Sequence, residues 1–230
     1  GDWSSDVCSS DLSAHELQLP ASWIQVRDRL ILEKALAAAQ HGADARPVFI
    51  FALTIRNHGP YRANARQLRP EFAAAAQAMG AEFADYLDRM RDSSDDFVEF
   101  AKRWLASPRP RVIGWFGDHE PQVAWHFLNR VDEINRTRLP QASVSQLHYV
   151  TRYQLSANRP QAENRRPPTA LDAAYLGDEV LRFSGLPLDG AAAASLSTAA
   201  QCHGLLWDCP DRDLVGDYVS YRVYDLKTLQ

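Results

Sequence analysis

Several absences narrow the reading before any motif is met. The 230-residue chain has no apolar stretch near the ~18 residues that a membrane span requires. Nothing at its start reads as a signal peptide, because no basic region is followed by an apolar one. No run of Lys and Arg interleaves with aromatic residues, and the net charge is only −4, so nucleic acid is not an evident partner. Internal repeats are missing, and Ala191–Ala194 is the one low-complexity tract. Cysteine is scarce: Cys8, Cys202 and Cys209 are all there are. What remains is 46% hydrophobic and 23% charged, enough to bury one sizeable core in one domain.

Residues 1–12, GDWSSDVCSSDL, stand apart. They are rich in Ser and Asp and follow neither a helical nor a strand period. DWSSDVCSSDL resembles an in-frame translation of a sequencing-library adapter; a disordered polar N-terminus is the plainer alternative. Either way residues 1–12 are expected to carry no function, and residues 13–230 form the domain to be explained. Without Asp2, Asp6, Asp11 and Cys8, the remainder is nearly neutral and its cysteines become the pair Cys202 and Cys209. An adapter at this position further implies a chain truncated at its N-terminal side.

Along the chain, Ile24, Leu30, Ile31, Ala35 and Leu36 give a helical stripe over 21–41, stopped by His41-Gly42. The unbroken run Val48-Phe49-Ile50-Phe51-Ala52-Leu53-Thr54 predicts a strand buried on both faces, ending in the turn-forming cluster Arg56–Tyr61. Residues 70–90 predict a helix with Phe72, Ala76, Met79, Phe83 and Leu87 on one face. Ser94-Asp95-Asp96 predicts the cap of a second helix, closed by Pro108 and Pro110. A second apolar run, Val112–Phe116, reads as a strand with Trp115 and Phe116 packed in the core. It stops at Gly117-Asp118-His119-Glu120-Pro121. Residues 147–157 have a strand pattern, 158–168 read as a polar, Pro-rich loop, and 169–184 and 189–203 as helices. Alternating Val219, Tyr221 and Val223 predict a last strand. Strands alternating with helices give an α/β class.

Two apolar runs thus each deliver ligand-type side chains just past their carboxyl ends, where open α/β sheets bind ligands. Asp118 offers a hard oxygen and His119 an imidazole nitrogen, a set that suits Zn²⁺ or Mn²⁺. Gly117 permits the tight turn that points both towards one centre. An ordinary turn with a satisfied histidine has the same appearance. Asn57 and His58 stand in the other turn, placed to meet an anion or a second metal. Arg56 and Arg152 fit surface solvation better than anion binding. His126 reads as structural or exposed, and His41, His148 and His203 lack a supporting motif. Cys202 and Cys209 are near enough for a disulfide, which suits an extracytoplasmic domain; two buried thiols fit equally, whereas a metal site lacks a second ligand pair.

ALTIRNHGPY (52–61) followed by VIGWFGDHEP (112–121) resembles the alkaline phosphatase superfamily. Within it the sequence is most similar to the sulfatase-like lipoteichoic acid synthases and phosphoglycerol or phosphoethanolamine transferases. HYVTRYQLSAN (148–158) and LDAAYLGDEVLRFSGLPL (171–188) resemble that family's next strand and helix, so the likeness spans roughly 20–226. It implies an α/β fold with a mixed, largely parallel sheet flanked by helices, of which this chain is the C-terminal part. It implies Asp118 and His119 as ligands of Mn²⁺ or Zn²⁺, and His58, with Asn57, as contacts to a substrate phosphate. The implied reaction moves a phosphoglycerol or phosphoethanolamine group from a lipid donor to a glycan or lipid acceptor through a Thr nucleophile. That Thr and a further acidic ligand belong upstream and are not visible in this sequence, so the chain by itself is expected to be inactive. A sulfatase or phosphodiesterase of the same fold, or a catalytically silent fragment, are the alternatives. The family's relatives are held in the cell membrane by upstream helices, with the catalytic domain periplasmic or extracellular.

Overall fold

The computed structural model describes residues 26–41, 47–61, 69–121, 123, 137, 139, 142–143, 146, 149–161 and 166–225. They fall into two compact units, each treated by itself: Gly1–Trp104 with Pro121–Ala124, and Leu105–Glu120 with Trp125–Gln230. The adapter-like residues 1–12, with His126 and His148, lie outside the described residues.

The first unit is helical. Helix α1 spans Asp28–His41, starting later than the stripe from residue 21 predicts; 21–25 lie outside the described residues. A 3₁₀ turn at Pro70–Phe72 leads into α2, Ala73–Met79. Helix α3 then runs unbroken over Ala81–Leu105. The predicted break at Ser94–Asp96 is therefore displaced to Gly80, whose φ of +92° is open to glycine and strained for other residues. Asp96 lies mid-helix, where its carboxylate accepts from Arg27 instead of capping a helix. The buried face of α3 is mainly polar: Asp85, Arg89, Asp92, Ser93 and Asp96 recur at three- and four-residue steps, beside Ala84 and ahead of Phe100. Phe100 stacks on Trp104 at 5.6 Å between ring centroids.

The run 48–54 forms no strand, and it is not buried: Phe49 is 76%, Phe51 67% and Leu53 61% exposed. The expectation of a doubly buried strand is wrong for this structure, although the turn that follows it is present.

The second unit holds the sheet. Strands β1 (Val112–Phe116) and β2 (Tyr153–Ala157) pair antiparallel, from Val112 opposite Ala157 to Phe116 opposite Tyr153. Asn158 closes one end, accepting from Arg111 N at 2.8 Å and donating to the carbonyls of Ser107 and Arg109. Gly114 is where the ribbon packs closely, since a Cβ there would lie 2.9 Å from Leu155 and 3.6 Å from Val180. Trp115 and Phe116 are 39% and 46% exposed, not core residues as expected, because a two-stranded ribbon covers too little of either face.

After the sheet, the described residues form α4 (Ala173–Ser184), α5 (Gly190–Gln201) and α6 (Arg212–Ser220). Each has an aspartate N-cap, with Asp172, Asp189 and Asp211 accepting from Ala174 N, Ala192 N and Leu214 N. The residues predicted as a final strand are helical up to Ser220 and continue as a π-helical turn, Tyr221–Asp225. Asp211 starts the helix, and Tyr218 on its buried face meets Tyr175 at 5.2 Å and Ala199 in one core cluster. Cys202 and Cys209 form a disulfide around the 3₁₀ turn Leu206–Asp208.

Among the described residues, then, the architecture is helix-rich with one two-stranded antiparallel sheet. This corrects the α/β reading with a largely parallel, alkaline-phosphatase-like sheet. One of the two apolar runs pairs antiparallel, and the other is not a strand.

Candidate functional site

The turn after β1 is held from the neighbouring strand. Gly117 N donates to Arg152 O at 3.0 Å, and Thr151 Oγ1 donates to Gly117 O at 2.6 Å. A Cβ at Gly117 would lie 3.3 Å from Thr151, so the close approach favours glycine. Pinned in this way, the turn presents Asp118 and His119 to solvent, with side chains 69% and 63% exposed.

Their geometry is ordered by the backbone. Asp118 Oδ1 accepts from His119 N at 3.0 Å, and His119 Nδ1 lies 3.1 Å from Glu120 O. A carbonyl accepts only, so that contact places the proton on Nδ1 and the lone pair on Nε2. Nε2 is then 3.5 Å from Asp118 Oδ2. Two ligands on a tetrahedral ion with bonds of ~2.1 Å are separated by about 3.4 Å. The carboxylate oxygen and the imidazole nitrogen are thus spaced as neighbouring ligands of one metal, with the backbone partner that ligating histidines ordinarily have. They fit Zn²⁺ or Mn²⁺ by donor type as well. Among the described residues no group of three or more His, Cys, Asp or Glu side chains is arranged to hold a metal, so these two are at most part of a ligand set.

Asn57 and His58 belong to the other unit, on a loop gripped by α3. Arg89, with 5% of its side chain exposed, donates to the carbonyls of His58 (3.1 Å) and Pro60 (3.3 Å), and pairs with Asp85 at 2.6 Å. Ser93 Oγ donates to Asn57 Oδ1 at 3.1 Å, and Tyr61 OH to Asn57 O at 2.6 Å. The Gly59–Pro60 peptide is cis, and His58 Nδ1 lies 2.7 Å from Gly59 O. Arg56 is not a surface arginine as expected: it pairs with Asp92 at 3.1 Å and is mostly buried. Asp92 also receives Arg27 and Arg69, at 3.2 and 2.7 Å. Asp96 accepts from Arg27 at 2.7 Å.

The electrostatics follow from this crowding. Burial pushes the Asp28 carboxyl above its ordinary range, against hydrogen bonds from Ser93 and the Arg56 N–H. For Asp96, burial acts the same way, but the hydrogen bonds from Arg27 and the Arg29 N–H prevail and hold it below that range. In the second unit Tyr153 donates to the carbonyl of Pro168, and burial with the nearby Glu179 carboxylate moves its phenol up to about 12.

Asn57 and His58 are thus held together on one preorganised loop, and Asp118 and His119 on another. Arg152 is exposed on the second loop, as expected, and its backbone is what that loop uses. His203 is exposed, with φ of 53°. The residues that position the first loop, Arg89, Asp92 and Ser93, were not read from the sequence. Their three- and four-residue spacing on α3 was the available signal, but a polar face ordinarily means solvent.

No family model and no solved structure matches the chain. It is 28% identical over 199 residues to an uncharacterized protein of Haemophilus influenzae, an alignment that takes in 84% of this chain and 33% of that protein. The chain therefore spans about a third of the length of the relative it matches. No helix among the described residues is long and apolar enough to cross a membrane.

Proposed function

We propose that this chain is part of a divalent-metal-dependent enzyme that moves a phosphoglycerol or phosphoethanolamine group from a lipid donor to a glycan or lipid acceptor. The observation that carries the reading is the 3.5 Å spacing of Asp118 Oδ2 and His119 Nε2 on a turn pinned by Thr151 and Arg152. The resemblance of both loops to the phosphoglycerol transferases supports it, and so does the order in which they occur. The reading rests on these residues and not on a parallel-sheet architecture.

In this reading Asp118 and His119 hold Mn²⁺ or Zn²⁺. A metal bound there would supply Lewis-acid chemistry, lowering the pKa of a hydroxyl nucleophile and offsetting charge on non-bridging phosphate oxygens. The chain's own residues do the rest of what is assigned to them. The Glu120 carbonyl keeps the His119 proton on Nδ1, and Thr151 and Arg152 fix the turn. Asn57 and His58 are assigned to a substrate phosphate by the resemblance, on a loop that Arg89 and Ser93 hold within its own unit. The nucleophilic Thr is assigned to sequence outside this chain, so the 230 residues alone should be silent. The Cys202–Cys209 disulfide favours an oxidising compartment, in keeping with a periplasmic or extracellular domain of a membrane-held protein.

The test uses the product of the open reading frame that contains residues 13–230. Incubated with Mn²⁺ or Zn²⁺ and phosphatidylglycerol or phosphatidylethanolamine, it should release diacylglycerol and transfer the head group. Asp118→Ala should lower the rate by ~10²-fold or more, the scale of losing a major electrostatic contact to the transition state. Chelator-insensitive turnover, or full activity in Asp118→Ala, would contradict the assignment. Free glycerol phosphate as the only product, with no acceptor modified, would make the enzyme a hydrolase instead.

A further inference from the structure

In the first unit, residues 57–60 carry four successive carbonyls, and each accepts from a side chain. Asn57 O accepts from Tyr61 OH at 2.6 Å, His58 O from Arg89 Nη1 at 3.1 Å, and Pro60 O from Arg89 Nη2 at 3.3 Å. The remaining one, Gly59 O, lies 2.7 Å from His58 Nδ1. A carbonyl accepts only, so the ring proton of neutral His58 stands on Nδ1 and the lone pair on Nε2.

Arg89 is the element common to this arrangement. Its guanidinium takes two of the four carbonyls directly. It also stands 5.3 Å from the centre of the Tyr61 ring, whose hydroxyl takes a third. With 5% of its side chain exposed and Asp85 at 2.6 Å, Arg89 is a fixed point on α3 and not a mobile surface cation. One planar fork thus clamps the carbonyls on both sides of Gly59. The peptide between them is thereby turned so that its oxygen faces the His58 ring.

We propose that Arg89 is a positioning residue: by holding the carbonyls of His58 and Pro60 it keeps His58 in the Nδ1–H form and makes Nε2 the atom offered to substrate. That His58 serves a substrate at all rests on the phosphoglycerol-transferase reading; its tautomer does not.

Nitrogen-15 NMR of the histidine-labelled 230-residue chain reads the tautomer, in buffer well above the ordinary imidazole range so that the rings are neutral. His58 should show Nδ1 protonated and Nε2 bare. Arg89→Lys keeps the charge that faces Asp85, but one ammonium cannot stand at both ends of the fork. The single-tautomer signature of His58 should be lost in that variant. His119, set by Glu120 O in the other unit, should keep its own. If Arg89→Lys fails to fold, Asp85→Leu combined with Arg89→Met removes both charges of the pair together, a change that buried pairs tolerate, and should give the same loss. Nε2 protonated in the unsubstituted chain, or a single Nδ1–H form that persists in the variants, overturns the proposal. In the product of the open reading frame that contains residues 13–230, Arg89→Lys should lower kcat/KM for phosphatidylglycerol by ~10²-fold, the scale of a misplaced contact. Loss of the tautomer with full turnover would overturn the role of His58 towards substrate, and with it that part of the transferase reading, while the link from Arg89 to His58 would stand.

Discussion

At the scale of single residues, the decisive feature is that the two candidate loops are built differently. Asp118 and His119 touch mainly their own turn, whereas Asn57 and His58 are held by α3 through residues that never meet solvent freely. Truncating Asp92 removes the common partner of Arg27, Arg56 and Arg69. Asp92→Ala should cost about 3 kcal/mol in urea unfolding, the lower end for breaking a buried ion pair, because Arg27 and Arg69 remain partly hydrated. Substituting Asp118 or His119 should leave stability unchanged.

Two neighbouring carboxylates should respond to pH in opposite senses. Asp96 is held below the ordinary carboxylate range, so its stabilisation is present above the unfolded value of ~3.9 and is lost as pH falls through the lower folded value. Asp28 is raised by burial, so its favourable share is complete below ~3.9 and lost as pH rises through the higher folded value. Relative to the unsubstituted chain, Asp28→Asn should therefore gain stability between pH ~4 and ~7, and Asp96→Asn should lose it. Thermal melts across that range decide the signs.

At the scale of elements, the sequence was legible where local rules act alone. Helices α4 and α5 lie within the predicted spans because each has an aspartate cap, and Gly185 (φ +76°) closes α4. Strand β1 and the turn at Gly117 were legible because an apolar run ended abruptly at a glycine. Errors arose where tertiary contacts decided. Asp96 is a plausible cap in isolation, but Arg27 claims it in the folded chain. Val219, Tyr221 and Val223 alternate as a strand does, yet Asp211 and buried Tyr218 set a helix. The run 48–54 reads as buried from its composition alone, yet Phe49, Phe51 and Leu53 are exposed.

Two of the positive-φ glycines, Gly80 and Gly204, separate strain from crowding. Gly80 has φ of +92° and open space around its missing Cβ, so Gly80→Ala should cost about 1 kcal/mol. Gly204 has φ of +87° and a virtual Cβ 2.5 Å from Ala170 O, so Gly204→Ala must also displace backbone. It should cost clearly more in the same denaturant titration, and equal losses would contradict the crowding argument.

At the scale of the molecule, the disulfide is the feature that ties the last helices together. It closes a loop of sequence separation 7 that contains Gly204, whose carbonyl accepts from the Asp172 amide at the start of α4. Reduction should lower stability by about 2.5 kcal/mol on loop-entropy grounds. Melts with and without reductant measure it, and an unchanged Tm would show that the helices stand without the bridge. The whole-molecule claim, however, is chemical: that the Gly117 turn carries part of a metal site.

Paramagnetic titration tests that most directly, because it needs no turnover and no missing sequence. Mn²⁺ added to the ¹⁵N-labelled chain should broaden the amides of Gly117, Asp118, His119 and Glu120 before any others. Asp118→Asn and His119→Ala should each abolish that broadening while the rest of the spectrum stays in place. Broadening centred elsewhere, or unchanged in both variants, would contradict the account.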